Sequence, residues 1–459
     1  MATFADLPTE LVDMIFERVR DSTSLFPFLI SRRTHKSALL AIYERITIRL
    51  DKADALISAM WWPNVSHAVA RVRELRIDFA TAVGSAISDE GQILEHAASK
   101  VKALLLLAPR AEFLELLGVQ HNYYQRIDHS GLKRISIQQE SPGLSSAGRN
   151  KRAAFVNLEI VGRSHLQSLT VRAGMLGLRA DSTAHSLQRL HLDGDCMLFS
   201  QDRVGGIYTS QGPMLPFESL QDVTLIPGRQ GENSQKTVPL LRRLLQKLLK
   251  SKNTLHTLSL LCDSNYIGSF IAADTVDFTE YIALRKLLIS ARPVGPLNRG
   301  ISQDGNRLRI NSTTIQTVEF VVRDAVASLE ALLEFVYDFI HDNCGDKTST
   351  PFLSSIVISV SLDCLEALRE KRPPLCWPNP SRRVQFFHEV IEFSDGRVLW
   401  RPNNDHSRTV AALRSLVTEH EASLTNIGKQ HGVTIDIGDI KKALAWKDEL
   451  ALETERMIM

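Results

Sequence analysis

The chain has 459 residues, 44% of them hydrophobic and 23% charged, with a formal net charge of +2. These values are ordinary for a folded protein, and such a small net charge argues against nucleic acid or an anionic membrane as a partner. The five cysteines show no Cys-x-x-Cys spacing, which indicates neither a zinc site nor a disulfide framework. Reduced thiols favour an intracellular compartment.

The beginning of the sequence has neither a basic nor an apolar leader, so no secretory signal is expected. The longest apolar run, residues 101–109, is shorter than the roughly 20 residues that cross a bilayer. We therefore expect no membrane partner and a cytoplasmic and/or nuclear location.

Residues 7–16 read LPTELVDMIF and predict a short amphipathic helix. Pro8 suits the first helical position, and Glu10 meets the positive end of the helix dipole. A break at residues 20–24 precedes a second helix from Leu25, and a third apolar group leads into a strand-like segment at residues 46–50. Three helices in under fifty residues bury little surface, so this unit needs a partner or a neighbouring domain.

The segment from residue 7 to residue 48 resembles an F-box, a three-helix module that docks a Skp-type adaptor and thereby reaches a cullin ubiquitin ligase. The same start also fits an ordinary amphipathic helix preceded by proline. The resemblance implies a set of adaptor-binding residues, namely Leu7, Pro8, Glu10, Leu11, Ile15, Phe16, Leu25 and Leu29.

Beyond residue 70 a short pattern recurs: apolar, two variable residues, apolar, one variable residue, apolar. Its copies begin at residues 72, 111, 132, 166, 187, 220, 255, 284, 315 and 353, so they lie 21 to 39 residues apart. Each copy predicts a strand whose first, fourth and sixth positions face a core. FVNLEI from residue 155 also fits the pattern and has no firm assignment.

Amphipathic helices are predicted between some copies, at residues 237–252 and 329–342. Strands alternating with such segments predict an α/β fold, an irregular leucine-rich-repeat-like solenoid in which neighbours share one core. The alternative is a run of unrelated βα units. We expect three domains: the F-box at residues 1–48, the repeats at 49–369, and a cap at 370–459 with a hairpin near residues 384–400 and terminal helices.

No nucleotide-binding, zinc-protease, hydrolase or kinase signature is present. Residues 193–196 read DGDC and lack the closing glutamate of a calcium loop, so a turn explains them better. We therefore expect no catalytic residue, no metal and no cofactor. In the repeats, residues between the core positions project on one face, and the early strands lean basic. The candidate partner surface comprises Arg134, Ser136, Arg172, Arg189, His191 and Asp193.

The resulting hypothesis is a non-catalytic receptor of a ubiquitin ligase, in which the F-box docks the adaptor and the repeats hold an unidentified protein substrate. The alternative is a repeat-based scaffold that acts outside a ligase. A hydrolase on an α/β domain ranks last, because the sequence shows no nucleophile motif.

Overall fold

The computed structural model describes residues 44–60, 70–79, 90–119, 123–127, 129–139, 155–160, 165–180, 186–199, 204–207, 213–226, 240–261, 275–290, 308–322, 329–345, 349–360, 388–392, 398–402, 404–438 and 441. Two compact units divide the chain, Met1–Leu220 and Gln221–Met459. Both have α/β structure built on a parallel sheet. The predicted F-box helices lie outside the described residues.

The sheet of the first unit is parallel and follows the chain order of its strands. Each strand pairs with the next along the sheet, in the order β1, β2, β3, β5, β7 and β8. Their bounds are β1 Arg45–Arg49, β2 Glu74–Asp78, β3 Phe113–Val119, β5 Arg134–Gln139, β7 Ser168–Ala180 and β8 Arg189–Phe199.

Other elements connect these strands. We call the helices and short strands of these connections the second row of elements. Helix α1 (Ala53–Met60) follows β1 and a single 3-10 turn, and it contacts helix α2 (Glu90–Leu107). Next come two strands, β4 (Tyr123–Ile127) and β6 (Phe155–Ile160), which pair in parallel. β6 also pairs with the second half of β7, and β9 (Val204–Gly206) closes this row antiparallel to β8.

The second unit repeats this plan. Its parallel sheet runs in the order β10, β11, β13, β15, β16 and β19. These strands span β10 Asp222–Ile226, β11 Thr257–Leu260, β13 Lys286–Ser290, β15 Thr317–Val322, β16 Ser355–Val360 and β19 Thr434–Asp436. The connections hold α3 (Leu240–Leu248), α4 (Leu329–Cys344) and α5 (Asn404–His431), and a parallel pair, β12 (Thr275–Asp277) with β14 (Arg309–Asn311). A separate antiparallel hairpin joins β17 (His388–Glu392) to β18 (Val398–Pro402).

The core follows the repeat pattern position by position. The fourth residue of each copy in the first unit stands in register with the fourth residue of the next, and all are buried: Leu75, Leu114, Ile135, Leu169 and Leu190. The second residue of each copy links the repeats through its backbone. Thus Glu112 donates its N–H to the carbonyl of Arg73, and Lys133 donates its N–H to that of Glu112. One short pattern therefore sets both the core and the register.

Several predictions are confirmed. Each of the ten pattern copies forms a strand of a parallel sheet, the two expected helices are α3 and α4, and the hairpin is β17–β18. FVNLEI forms β6, which belongs to the second row of elements.

One expectation is wrong, and two observations bear on the predicted boundaries. DGDC at residues 193–196 is not a turn, because β8 continues through it to Phe199. β7 accommodates this with a shift of register between Arg172 and Met175. The predicted F-box boundary at residue 48 falls inside β1, which pairs along its whole length with β2. β19 pairs with β16 and so carries the parallel sheet into the segment expected to be a cap.

Candidate partner-binding surface

The outer face of the first unit's sheet is formed by the strand residues that alternate with the buried ones. All six residues of the candidate partner surface lie on this outer face, on the neighbouring strands β5, β7 and β8. Arg134 is in register with Ser168 and, beyond it, with Arg189. Ser136 lines up with Thr170 and His191 in the same way, and Arg172 lies opposite Asp193.

Alternation along each strand explains this grouping. On β5, Ile135 and Ile137 are buried, whereas Arg134 is exposed and Ser136 is half-buried between them. Because parallel pairing keeps the registers aligned, a residue that points outward on one strand is flanked by outward residues on the next. The sequence pattern therefore places the six residues together.

On β1–β3 the charges of the outer face pair with one another. Glu74 forms an ion pair with Arg45 across the β1–β2 register, and both side chains are about three-quarters buried. Arg76 Nε lies 3.1 Å from Glu115 Oε2 on the neighbouring strand. Arg49 Nη2 lies 3.1 Å from Asp51 Oδ2 at the end of β1. This part of the face is thus electrostatically satisfied by its own residues.

Arg134 stands at the border of the paired region. Its Nη2 is 3.8 Å from Glu74 Oε1, and its guanidinium carbon is 4.8 Å from the centre of the Phe113 ring. A guanidinium over an aromatic face gains a cation–π attraction, which holds the arginine side chain in place. The side chain of Arg134 remains 55% exposed, so it is still available to a partner.

Four charged or titratable side chains of the candidate surface lie on β7 and β8. Arg172 and Arg189 are exposed, whereas His191 and Asp193 are half-buried. Arg172 forms no ion pair with any residue in the part of the chain that the structure describes. With Arg134, the six candidate residues include three arginines and one carboxylate, that of Asp193.

The corresponding face of the second unit is more enclosed. Ser259, Val321 and Ser359 alternate with core residues there, yet all three are buried. Ser359 donates its hydroxyl hydrogen bond to Glu319 Oε1 at 2.6 Å, and Lys286 Nζ lies 2.6 Å from Glu319 Oε2. None of the described outer-face residues on β1, β2, β3, β5, β8 and the first half of β7 is buried to this degree. The open polar face is therefore that of the first unit.

Sequence reasoning did not select Glu74, Phe113 or Glu115, which shape the border of the surface. The signal was present, because these residues occupy the same alternating positions in the copies that begin at residues 72 and 111.

A second polar cluster lies on the second row of elements. Tyr124 on β4 donates its hydroxyl hydrogen bond to Glu159 on β6. The hydrogen bond to Glu159, together with burial, raises the pKa of the Tyr124 hydroxyl above its ordinary value. Arg126 and Arg179 lie close enough to oppose this shift. The phenol is thus a structural donor that joins two strands.

The predicted adaptor-binding residues, from Leu7 to Leu29, lie outside the described residues. Within the described ranges, no three His, Cys, Asp or Glu side chains come together in a way that could hold a metal ion. None of the helices in the same ranges combines the length and apolar character needed to cross a membrane.

No protein-family model, curated protein or solved structure matches the chain.

Proposed function

We propose that this protein is the substrate-recognition subunit of a cullin-type ubiquitin ligase. Its N-terminal segment would dock a Skp-type adaptor, and the repeat strands would hold a target protein. The observation that carries the proposal is the order of two features in one chain: an F-box-like LPTELVDMIF segment, and after it a series of aligned strands with an open polar face.

The repeats suit a receptor role because their polar side chains stand on adjacent, rigidly paired strands. Buried rows of leucine, isoleucine and valine fix each strand, so the outward residues of β5, β7 and β8 keep their spacing without a ligand. A preformed surface loses less conformational entropy on binding than a loop does. We infer that the irregular leucine-rich-repeat-like solenoid is the substrate-holding part of the molecule.

The proposed mechanism is proximity, in which the chain itself would contribute no chemistry. Leu7, Pro8 and Leu11 would bury their apolar side chains against the adaptor, together with Ile15, Phe16 and Leu25. Glu10 and Leu29 complete the predicted contact. A target held by the repeats would then lie near the ligase for many encounters, which raises the effective concentration of its lysines.

The test is co-purification of the full-length protein with a Skp-type adaptor. Wild type should bind stoichiometrically, and the Leu7→Ala/Pro8→Ala variant should lose binding, because truncation of buried apolar anchors at an interface removes most of its energy. Ile282→Ala is the matched control, since Ile282 is an apolar side chain that is 57% exposed in the second unit.

Each outcome has a definite meaning. Loss of binding in the double variant alone, with Ile282→Ala unaffected, supports the adaptor role. If well-folded wild type fails to bind the adaptor, the ligase role is excluded, and the repeats would then act as an interaction scaffold outside a ligase.

A further inference from the structure

Three neighbouring turns of the second unit expose apolar side chains. They lie directly before β13, β15 and β16, which pair with one another in this order. Ile282 in the first turn is 57% exposed, and Phe352 in the third is 59% exposed. Thr313 in the middle turn and Pro351 beside Phe352 are exposed as well. We call these four residues the turn strip.

The turn strip is not a general property of the repeats. The corresponding turns of the first unit expose mainly polar side chains, among them Arg71, Arg110, Ser130 and His165. Exposed apolar residues that are grouped on one surface commonly mark a site of protein association. The strip therefore requires an explanation that the repeat pattern itself does not supply.

Hydrogen bonds hold the three turns in fixed positions. The hydroxyl of Thr314 donates to the carbonyl of Tyr281 at 3.1 Å, which joins the first turn to the second. The backbone N–H of Ser312 donates to the carbonyl of Ser349 at 2.8 Å, which joins the second turn to the third. The exposed side chains thus stand on a rigid backbone, and the surface loses little conformational entropy on binding.

The charges that border the turn strip balance one another. The turns before β11, β13, β15 and β16 span residues 252–255, 277–285, 312–316 and 349–354. Within them, Lys252 Nζ lies 3.2 Å from Glu280 Oε2. Arg285 donates from Nη1 to the carbonyl of Thr314 at 3.2 Å. The carboxylate of Asp277 accepts a hydrogen bond from the backbone N–H two residues further on, at 3.0 Å.

These four residues are the two cations and two carboxylates of the turns, so the surface around the strip carries no net charge. A neutral surface can meet an identical surface without repulsion between like charges. The charge distribution therefore allows two copies of the chain to approach each other through the strip.

The order of side chains along the strip suits a two-fold axis. Ile282 and Phe352 stand on either side of Thr313, so the strip has large apolar ends and a small centre. Neighbouring strands lie about 4.8 Å apart, which places the two ends roughly 10 Å from each other. A two-fold axis at Thr313 lays Ile282 of one copy on Phe352 of the other, and the reverse contact follows by symmetry.

We propose that the turn strip is the contact surface of a two-fold symmetric dimer of this protein. The contact removes exposed apolar area of both copies from water, which supplies its driving force. Because the surface is small, the dimer is weak and reversible and forms as the protein concentration rises. The dimer goes beyond the ligase role and does not depend on it.

Sedimentation equilibrium of the full-length protein, without adaptor, measures the association. We expect the average mass to rise from that of one chain toward that of two as the loading concentration increases. Since the border of the strip is neutral, added salt should not weaken the dimer, in contrast to an association held by charges. A wild type that stays monomeric at every concentration up to its solubility would overturn the proposal.

A pair of double variants locates the contact. Ile282→Asp/Phe352→Asp should raise the dissociation constant by more than about tenfold, because the contact would then bury carboxylates without partners. Both side chains are exposed, so this variant should keep the wild-type circular dichroism. The matched control is Leu106→Asp/Val204→Asp, which places the same charges at two exposed apolar positions of the first unit. Equal dissociation constants for the two double variants would contradict the proposed surface.

A cysteine at the centre of the strip tests the symmetry. Thr313→Cys brings two thiols together across the axis, so mild oxidation should give a disulfide-linked dimer that reduction separates. Asn253→Cys is the control, because Asn253 is exposed in a turn that lies two strands away from that of Thr313. If the two variants crosslink equally, the two-fold axis is wrong. Adaptor binding is measured separately by co-purification, so failure of the dimer and failure of the ligase role are distinguishable.

Discussion

The side-chain amide of Asn343, at the end of α4, accepts a hydrogen bond from the backbone N–H of Ile310 on β14, at 2.7 Å. The same amide donates to the carbonyl oxygens of Leu308 and Phe339, both at 2.8 Å. Asn343 is 1% exposed. The Asn343 side chain thus supplies hydrogen bonds to the backbone of β14 that a neighbouring strand would otherwise supply. It thereby joins helix α4 to strand β14.

Asn343→Ala should therefore destabilise the second unit strongly. The change leaves the buried N–H of Ile310 and the buried carbonyl of Leu308 without their partner, which we expect to cost about 3 kcal/mol. Urea unfolding measures the loss. Asn253→Ala is the control, because Asn253 is exposed in the turn before β11. Equal unfolding midpoints for the two variants would contradict the bridging role of Asn343.

Two glycines lie near the C-terminal end of α5, Gly428 inside the helix and Gly432 directly after it, and they differ in how well they would tolerate a side chain. Gly432 has φ +71°, and its neighbour Val433 donates its N–H to the carbonyl of Gly428 at 2.8 Å, as in a Schellman motif. A Cβ on Gly432 would meet nothing within 4 Å, whereas one on Gly428 would lie 2.6 Å from the carbonyl oxygen of Val433. A side chain is therefore sterically excluded at Gly428 but not at Gly432.

Gly432→Ala should cost about 1 kcal/mol, which is the strain of a left-handed conformation alone. Gly428→Ala should cost more, because the backbone that leads into β19 must move. Unfolding by urea, followed through the helical circular dichroism signal, ranks the two variants. A larger loss for Gly432→Ala than for Gly428→Ala would be inconsistent with this geometry.

Strand β1 is expected to belong to the core of the first unit. Ile48 is 8% exposed and is in register with Ile77 of β2, while Thr47 faces outward. Ile48→Ala should cost about 2 kcal/mol, at the lower end for buried isoleucine because β1 stands at the end of the described sheet. Thr47→Ala should change stability by less than about 0.5 kcal/mol. If thermal unfolding shows no difference between the two, β1 does not contribute to this core.

The sequence pattern predicted the strands well because one rule governs them all: first, fourth and sixth residues enter the core. Strand β1, predicted as a strand-like segment at residues 46–50, obeys the same rule, since residues 43–48 read YERITI. Strand β19 was not predicted, because the first position of its pattern copy is Gly432. This glycine ends α5 in a left-handed conformation, so an apolar side chain is missing there. The grouping of Arg134, Arg172 and Arg189 followed directly from the strand alternation.

The second row of elements was harder to predict. FVNLEI has the spacing of a main-sheet strand, yet it forms β6 and pairs with β4. Period-two alternation shows that a strand has one buried face but not which row it joins. The short strands β12 and β14 carry only three residues each, too few for any periodicity. Asn343 is likewise invisible to pattern reading, because its role depends on β14, which is 33 residues away from it.

Stability of the second unit should fall at alkaline pH, in part through Cys344 of α4. Burial raises the pKa of its thiol from the ordinary 9.0 to about 11. Between these values the unfolded chain releases a proton that the folded chain retains, so the free energy of unfolding decreases as pH rises. The stabilisation that comes from keeping this thiol protonated is complete below pH 9 and is lost as pH approaches 11. Burial also raises the pKa of Tyr281 in the same unit, which adds to the decline.

A pair of variants isolates the thiol. Cys344→Ala should be less stable at neutral pH because a buried side chain is shortened, but its stability should fall less steeply between pH 9 and pH 11. Val336→Ala removes volume from a buried position of the same helix and does not titrate, so it should keep the wild-type slope. Urea unfolding at several pH values gives these slopes. Because packing loss shifts the whole curve and titration changes its slope, parallel curves for wild type and Cys344→Ala would exclude the thiol as a source of the alkaline decline.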